Sequence, residues 1–341
     1  MRHDSFWERI IIMKISLRLV GCAAGFAALA LTGALAQEAS ISIQFVSQFD
    51  YPGTGNQTRP QKISDKGDIV GVYVDASLVS RGFIMFSNGN FSPPIVDPND
   101  TSNLTEGRGI NNSRLVCGDY LDSAGAFEGF FFSHHTYTNY DIEPTFTIVL
   151  GVNNAGDFSG SVIPSTGTQE AFLSIGGTVT DFAVPTATAT LAYQLNTTNQ
   201  SCGYFLDSSG VSHGFFRDSD GTIHAPIDPV GSTGTILFGN NDRNFIVGRY
   251  SDAASATHGI LFVPPNRFLV YDFPGATFTS LNGINRSNQI VGRYTDTSTA
   301  IDHGILLQVV RTSAGVTLPL ASPSAPKQAL PQRQVYTAPA Y

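Results

Sequence analysis

Charged side chains are scarce in this sequence. Only 13% of its 341 residues are Asp, Glu, Lys or Arg, and the formal net charge is −8 at pH 7. An average soluble domain has roughly 25% charged residues. Binding to nucleic acid or to an anionic membrane surface requires clustered Lys and Arg, so we expect neither kind of partner. Ser, Thr, Asn and Gly must cover most of the protein surface instead.

Several common catalytic and metal-binding motifs are also missing. The sequence contains no HExxH zinc motif, no P-loop and no CxxC pair. No stretch after residue 40 keeps a helical period over three turns, so we expect no long helix there. The absence of these motifs is weak evidence against an enzyme, because an active site can also be formed by residues from distant segments. No cofactor is predicted.

Long apolar runs are confined to the N-terminus. Arg9, Lys14 and Arg18 precede the run VGCAAGFAALALTGALA, which ends in Ala34-Leu35-Ala36. A basic start, a short apolar stretch and a small-residue exit are typical of a secretory signal peptide. The run is shorter than the roughly 20 residues that a membrane-spanning helix needs. We therefore predict a signal peptide over residues 1–36 and a secreted or periplasmic bacterial protein, with either Met1 or Met13 as the start.

The sequence does contain a phrase that returns six times. Clear copies read IVGVYVD, LVCGDYLD, SCGYFLD, IVGRYSD and IVGRYTD, and a degraded copy reads DFSGSVIP. The spacing between successive copies is 42 to 47 residues, measured between the glycines Gly71, Gly118, Gly160, Gly203, Gly248 and Gly292. Such a period means that one supersecondary unit is copied and packed against its neighbours, as in a propeller or solenoid. We expect the glycines to allow close strand approach in a narrow part of the ring.

Each period contains four candidate strands, which is the size of a propeller blade. The glycine phrase is followed by a strand such as HGILF, then by a strand ending in a proline signal, then by a Thr-rich segment. The last copy lacks its proline-ended strand, and Ile41–Asp50 supplies a matching one near the N-terminus. We therefore predict an all-β, six-bladed propeller over residues 37–313 that the N-terminal strand closes. Residues 314–341 leave the pattern, and we predict a flexible Pro/Ala-rich tail there.

The composite of a GIN turn, the VG-x-Y-x-D phrase and a following HGF resembles the bacterial extracellular HAF-repeat proteins. The matching residues include Gly109-Ile110-Asn111-Asn112, Gly283-Ile284-Asn285 and His213-Gly214-Phe215, and the resemblance covers roughly residues 45–310. The third copy departs from it, because Glu170-Ala171-Phe172 replaces HGF. The resemblance implies an exported, propeller-like repeat protein. It implies no established activity and no catalytic residue.

The repeated polar residues have structural and functional interpretations. Cys117 and Cys202 occupy equivalent positions in separate copies, so we expect two buried free thiols rather than a disulfide. Five aspartates follow the glycine phrase: Asp75, Asp122, Asp207, Asp252 and Asp296. A ring of such carboxylates would suit a cation, but we expect each to bond within its own repeat. Asn pairs such as Asn111-Asn112 suit turns in which side chains bond the backbone. His134-His135 form an exposed hairpin turn, where a solvated pair is the simplest interpretation.

The candidate ligand-binding residues break the equivalence of the repeats. Arg249 and Arg293 follow the repeat glycine in the last two copies only, and a channel wall formed by them would receive an anionic group. His213, His258 and His303 are equivalent in three consecutive copies. They would bind a metal only if they converged, and a His–Asp bond within each blade explains them equally well, so we predict no metal site.

Two functions remain open at this point. The first is a monomeric, non-catalytic binding or interaction scaffold for a glycan, a protein or a small ligand at the channel mouth. The alternative is a propeller-type hydrolase or lyase acting on extracellular polymers. An active site would break the equivalence of polar positions at a few adjacent blades, and the breaks here are modest. The sequence therefore favours binding.

Overall fold

The structure is a computed structural model that describes residues 40–312, except residues 54, 144 and 166. The described part of the chain consists of strands and connecting turns. In chain order the strands are β1 (Ser40–Phe49), β2 (Gln57–Ile63), β3 (Ile69–Val74), β4 (Ser80–Met85), β5 (Thr105–Ile110), β6 (Val116–Leu121), β7 (Phe127–Ser133), β8 (Thr136–Tyr140), β9 (Thr147–Val152), β10 (Phe158–Val162), β11 (Glu170–Ile175), β12 (Thr178–Phe182), β13 (Ala189–Leu195), β14 (Ser201–Leu206), β15 (Ser212–Arg217), β16 (Ile223–Ile227), β17 (Gly234–Asn240), β18 (Ile246–Ser251), β19 (Thr257–Val263), β20 (Arg267–Tyr271), β21 (Thr279–Ile284), β22 (Gln289–Thr295) and β23 (Asp302–Thr312).

The strands form six antiparallel sheets arranged as the blades of a propeller. Blade 1 contains β2–β4, blade 2 β5–β8, blade 3 β9–β12, blade 4 β13–β16 and blade 5 β17–β20, and blade 6 has the order β21-β22-β23-β1. The first strand of each blade contacts the first strands of both neighbouring blades, so these six strands surround the axis. The prediction of an all-β, six-bladed propeller is confirmed. The signal peptide and the tail lie outside the described residues and stay predictions, as do the domain boundaries.

The N-terminal strand closes the ring. Strand β1 pairs antiparallel with β23, with Phe49 opposite Gly304 and Ser40 opposite Thr312. It thus supplies the outer strand that the last repeat lacks, as the complementary ends of the repeat region predicted. Closure of this kind removes the unpaired edge that an open array of blades would expose.

Blade 1 has an irregular outer edge. Its fourth segment forms no continuous ladder with β4 in the described structure. It makes two isolated bridges, Phe91 with Met85 and Ile95 with Gly82, and Ser92 bonds Ile84 between them. Pro93 and Pro94 stand between these bridges. Proline has no N–H to donate to a strand ladder, so the pair interrupts the outer strand at this point.

The repeat glycines make close contacts, but the partner strand differs from the prediction. They lie in the second strand of each blade and face the inner strand of the same blade. A Cβ on Gly203 would lie 1.9 Å from the carbonyl oxygen of Leu191. The glycines at the narrow part of the ring belong to the inner strands. There, a Cβ on Gly283 would lie 2.8 Å from the Cα of Lys62 in the next blade.

The core consists of apolar clusters between neighbouring blades. In one of them, Val70 and Ile84 of blade 1 pack against Ile110, Val116 and Phe130 of blade 2. Burying such side chains is worth roughly 1.5–3 kcal/mol each, so each blade is stabilised mainly by its neighbours. Cys117 and Cys202 belong to two of these clusters and are free thiols, as the repeat alignment predicted.

Candidate functional site

The inner strands enclose a central channel with two different ends. We call the end at which the inner strands begin the upper mouth, and the end at which they finish the lower mouth. Every inner strand carries a one-residue bulge at the same level. The bulged residues are Gln61, Arg108, Leu150, Tyr193, Phe238 and Asn282. A bulge re-aims the side chains around it, and this level separates the two mouths.

A belt of turn residues forms the lower mouth. The first residue of each turn is Ser64, Asn111, Asn153, Asn196, Asn241 or Asn285. Each Asn amide donates to the backbone carbonyl of the equivalent residue in the next blade, as Asn285 does to Ser64 at 3.0 Å. The amide oxygens accept backbone N–H groups within their own turns. The prediction that these Asn residues bond the backbone is confirmed, and the belt also joins the blades.

The second turn residues continue the belt. The Asp65 carboxylate accepts hydrogen bonds from the side-chain amides of Asn112 and Asn154 and from the backbone N–H of Arg286. The Arg286 guanidinium donates to Asp242 at 2.7 Å. Only about 50 Å³ of free space remains between these residues. One buried water needs roughly 10–15 Å³ of such free space. The lower mouth therefore has room for a few water molecules and not for a larger ligand.

Lys62 closes the middle of the channel. Its Nζ donates to the carbonyl oxygens of Phe238 at 2.5 Å and Asn282 at 3.1 Å. It also lies 5.8 Å from the centre of the Tyr193 ring in blade 4, which stands opposite blade 1. Burial lowers the pKa of Lys62 to about 8. One amine therefore links four blades and separates the two mouths.

The upper mouth is charged on one side and apolar on the other. Paired positions of the first and second strands surround the channel at this level, and some of their side chains are buried between the blades. From blade 1 to blade 6 these pairs are Arg59 with Val72, Glu106 with Asp119, Ile148 with Ser161, Leu191 with Tyr204, Ile236 with Arg249, and Ser280 with Arg293. Blades 6, 1 and 2 supply most of the charge, whereas blades 3, 4 and 5 supply apolar inner residues.

Most charges of the upper mouth are paired with one another. Asp302 accepts from the Nε of Arg59 at 2.7 Å and from Arg293 at 2.5 Å. Asp119 accepts from the Nε of Arg108 at 2.8 Å, and Glu106 also binds Arg108. Although burial opposes the charge, the Asp119 and Glu106 carboxylates raise the pKa of Arg108 above its usual range. These carboxylates are therefore occupied by arginine.

Arg249 is the exception among the mouth arginines. Within residues 40–312, leaving aside the three that are not described, its guanidinium has no hydrogen bond and no ion pair. Its carbon lies 5.4 Å from the ring centres of both Phe238 and Phe278. Arg293 lies 4.8 Å from the same Phe278 ring. Burial lowers the pKa of Arg249, and a guanidinium remains charged at neutral pH even so.

The structure thus brings Arg249 and Arg293 together at the channel. That they bind a ligand stays a prediction. Sequence reasoning missed their neighbours Phe278 and Asp302. Asp302 had a usable signal. It stands two positions before the Gly-Ile step of the third strand, and the equivalent residues of the other copies, the third of which has Ala-Phe instead of Gly-Phe, carry no carboxylate: Ser80, Phe127, Gln169, Ser212 and Thr257. Phe278 had none, since Phe is common throughout the repeats.

The three candidate histidines lie in the third strands of separate blades. Their Nδ1 atoms contact Asp228, Asp272 and Asp50, at 2.7 Å for His213, 3.0 Å for His258 and 2.8 Å for His303. His258 Nε2 also lies 3.3 Å from Asp252, and its ring stacks on Tyr250. This is the His–Asp bond within a blade that the repeat predicted. No group of three or more metal-ligating side chains occurs in the described part of the chain.

One sequence pattern lacks the structural context of a catalytic motif. Gly210–Gly214 reads GVSHG and so matches GxSxG, the pattern of a nucleophile elbow. That motif places its serine on a turn between a strand and a helix. Here Ser212 begins strand β15 after a β-turn, and the chain continues as a strand. The geometry gives Ser212 no nucleophile position.

Comparisons with known proteins agree on the fold. No protein-family model matches the sequence, and no curated protein matches it. Among solved structures, a protein described as TolB from Agrobacterium tumefaciens has a TM-score of 0.51 and 12% identity over 80% of this chain and 99% of its own. AofleA from Arthrobotrys oligospora has a TM-score of 0.52 and 11% identity over 82% and 91%. A six-bladed propeller lectin from Aleuria aurantia has a TM-score of 0.47 and 8% identity over 82% and 100%. Identities this low show a shared fold alone.

In the part of the chain that the structure describes, no helix has the length and apolar character needed to cross a membrane.

Proposed function

We propose that this protein is an exported, non-catalytic β-propeller that binds an anionic ligand at the upper mouth of its channel. The observation that carries the proposal is Arg249, a half-buried guanidinium with no partner in the described residues, beside Arg293 and the Phe278 ring. A buried charge is costly unless it is paired. A ligand carboxylate would supply the missing partner through two parallel hydrogen bonds.

The balance of charge at the mouth supports an anionic ligand. Five cationic side chains line the channel: Arg59, Lys62, Arg108, Arg249 and Arg293. Among the described residues, three carboxylates face them, those of Glu106, Asp119 and Asp302. The channel is therefore locally positive in a chain whose net charge is −8. Such a cleft concentrates field lines and attracts an anion.

An acidic glycan fits the remaining lining best. Gln57 and Tyr204, which are half-buried, provide amide and hydroxyl groups for sugar hydroxyls. The half-buried Ile236 provides an apolar contact for a sugar ring face. The proposal includes export through residues 1–36 and membership of the HAF-repeat proteins, both of which rest on the sequence.

The alternative, a hydrolase or lyase, has less support. Glycoside hydrolysis uses two carboxyl groups, one of which must carry a proton. The mouth carboxylates of Asp119, Glu106 and Asp302 all contact arginine, so none of them faces a substrate as a free group. Burial raises the pKa of Asp119 to about 6, but its side chain is only 1% exposed and Arg108 occupies its oxygens. We therefore assign the mouth to binding.

The proposal is tested by titrating the protein with trigalacturonate and with its neutral methyl ester in a calorimeter. We expect saturable binding of the acid only, and about tenfold or greater loss of affinity in Arg249→Gln. Arg217→Gln is the matched control, because Arg217 also lies over an aromatic ring, that of Phe182. Arg217 ends β15, the third strand of blade 4, away from the upper mouth. Equal binding of acid and ester, or unchanged binding by Arg249→Gln, would contradict the proposal.

A further inference from the structure

We propose a second ligand site, for an aromatic carboxylate, in the groove between blades 1 and 2 on the lower face. The groove has a volume of about 640 Å³, within the roughly 300–1,000 Å³ typical of small-molecule sites. Turn residues of the two blades line it, on the opposite face from the upper mouth. The inference therefore does not rest on the proposed function of the channel.

The groove exists because the outer edge of blade 1 is interrupted. Pro93 and Pro94 line one wall, at the point where the fourth segment leaves the β4 ladder between its two bridges. Beyond them, Val96 N–H donates to the Tyr137 hydroxyl of blade 2 at 3.0 Å. This bond ties the two walls together and fixes the Tyr137 ring.

The floor of the groove is apolar. Ile84 and Phe86 of blade 1 face Phe132 and Tyr137 of blade 2. The rings of Phe132 and Tyr137 are 4.7 Å apart. A heavily hydroxylated ligand would lose its hydrogen bonds to water here, because the apolar floor cannot replace them. The floor therefore favours a flat apolar body.

The rim carries positive charge, and no Asp or Glu is among its described lining residues. Arg114 donates through Nε to Asp68 at 2.7 Å and lies 4.7 Å from the Phe86 ring centre, which leaves its terminal N–H groups available. Lys66 is exposed at the rim and has no hydrogen bond or ion pair within the described ranges. Asp68, the nearby carboxylate, is already held by Arg114. A single carboxylate on the ligand complements this rim.

The turn at the end of the groove places two bulky residues at positive φ, although glycine serves at the equivalent turn of another blade. His134 and His135 occupy the two-residue turn between β7 and β8 with φ of 51° and 63°. Such turns prefer Asn or Gly, because both residues must have positive φ. The equivalent turn of blade 3 uses Gly176 and Gly177. Bulky residues held at positive φ often mark a functional site, and here both imidazoles line the groove.

The ligand that fits these features has a flat apolar body and one carboxylate. Its body would lie between the proline pair and the Phe132 and Tyr137 rings. Its carboxylate would face Lys66 and Arg114, with an imidazole of the His turn as a further donor. Recognition requires no metal and no covalent step.

The test uses 1-naphthoate as the probe and neutral 1-naphthamide as its control, with binding followed by saturation-transfer NMR and calorimetry. We expect saturable binding of naphthoate, and about tenfold weaker binding of the amide. Lys66→Glu should also weaken naphthoate binding about tenfold. Arg243→Glu should not, because Arg243 holds the corresponding exposed turn position in blade 5.

A second variant separates binding from folding. Replacing His134 and His135 together by Gly relieves the positive φ, so we expect an unchanged or higher melting temperature together with the loss of naphthoate affinity. The inference is overturned if naphthoate does not saturate the wild type at millimolar concentration. It is equally overturned if both Lys66→Glu and the glycine variant bind naphthoate as the wild type does.

Discussion

At the scale of single residues, most repeated polar side chains maintain the fold. Each hairpin Asp accepts backbone N–H groups two or more residues ahead, as Asp252 does from Ala254 and Ala256. These positions were predictable because a bond made within every repeat leaves a periodic signal. Lys62 and Phe278 were not predictable, because a side chain that acts once in the ring has no counterpart in other repeats.

The His–Asp contacts make the stability depend on pH. The hydrogen bond to Asp228 raises the pKa of His213, although burial opposes it. The folded pKa is thus above the unfolded value of about 6.5. A raised pKa gives stability that is fully present below the unfolded pKa and is lost as the pH rises through the folded pKa.

We therefore expect His213→Gln to cost most stability at acidic pH and less as the pH rises above about 6.5. Urea unfolding of the wild type and the variant at several pH values measures this difference in unfolding free energy. A difference that stays constant across the neutral range would mean that His213 is not charged when it stabilises the blade.

At the scale of elements, the belt of turns at the lower mouth joins the blades. Asn285 is buried and bonds the Ser64 carbonyl, the Gln289 N–H and the Gln289 side chain. Asn285→Ala leaves these partners unsatisfied, at a cost of roughly 1–3 kcal/mol for each buried group. We expect a clearly lower melting temperature. Asn266→Ala, at an exposed turn, is the control and should unfold like the wild type.

The closing strand is the second element with a measurable effect. Removing residues up to Phe49 exposes the edge of β23 along its whole length. Exposed strand edges pair with other chains, so the shortened protein should melt earlier and associate in sedimentation experiments. A chain that begins at Ser40 keeps β1 and should remain intact. If both chains sediment and melt alike, β1 does not hold the ring closed.

The elements also show where sequence reasoning succeeded and failed. The number of blades and the closing strand followed from the period and from the complementary chain ends. The order of strands from the axis outward did not follow, since a repeat has no intrinsic starting point. The glycine phrase was therefore predicted to lie at the narrow part of the ring. In the structure the inner strands, which lead into the GIN turns, lie there, and the glycine phrase forms the second strand. Pro93-Pro94 marked the broken strand of blade 1, but proline also ends strands in other repeats.

At the scale of the whole molecule, an acidic propeller carries two locally positive concavities, one on each face. The Asn belt and Lys62 close the channel below the upper mouth. Under the proposed function, a ligand enters the mouth and does not pass through. This arrangement suits binding better than transport along the axis. The free Arg249 guanidinium is the feature on which the account of function depends.

A crystal structure with bound trigalacturonate tests that account most directly. We predict a ligand carboxylate at the upper mouth, with its oxygens about 2.7–2.9 Å from the Arg249 guanidinium, and a clearly lower ligand occupancy in crystals of Arg249→Gln soaked at the same concentration. A mouth that holds only water at saturating trigalacturonate, or a ligand bound there without contact to Arg249, would contradict it.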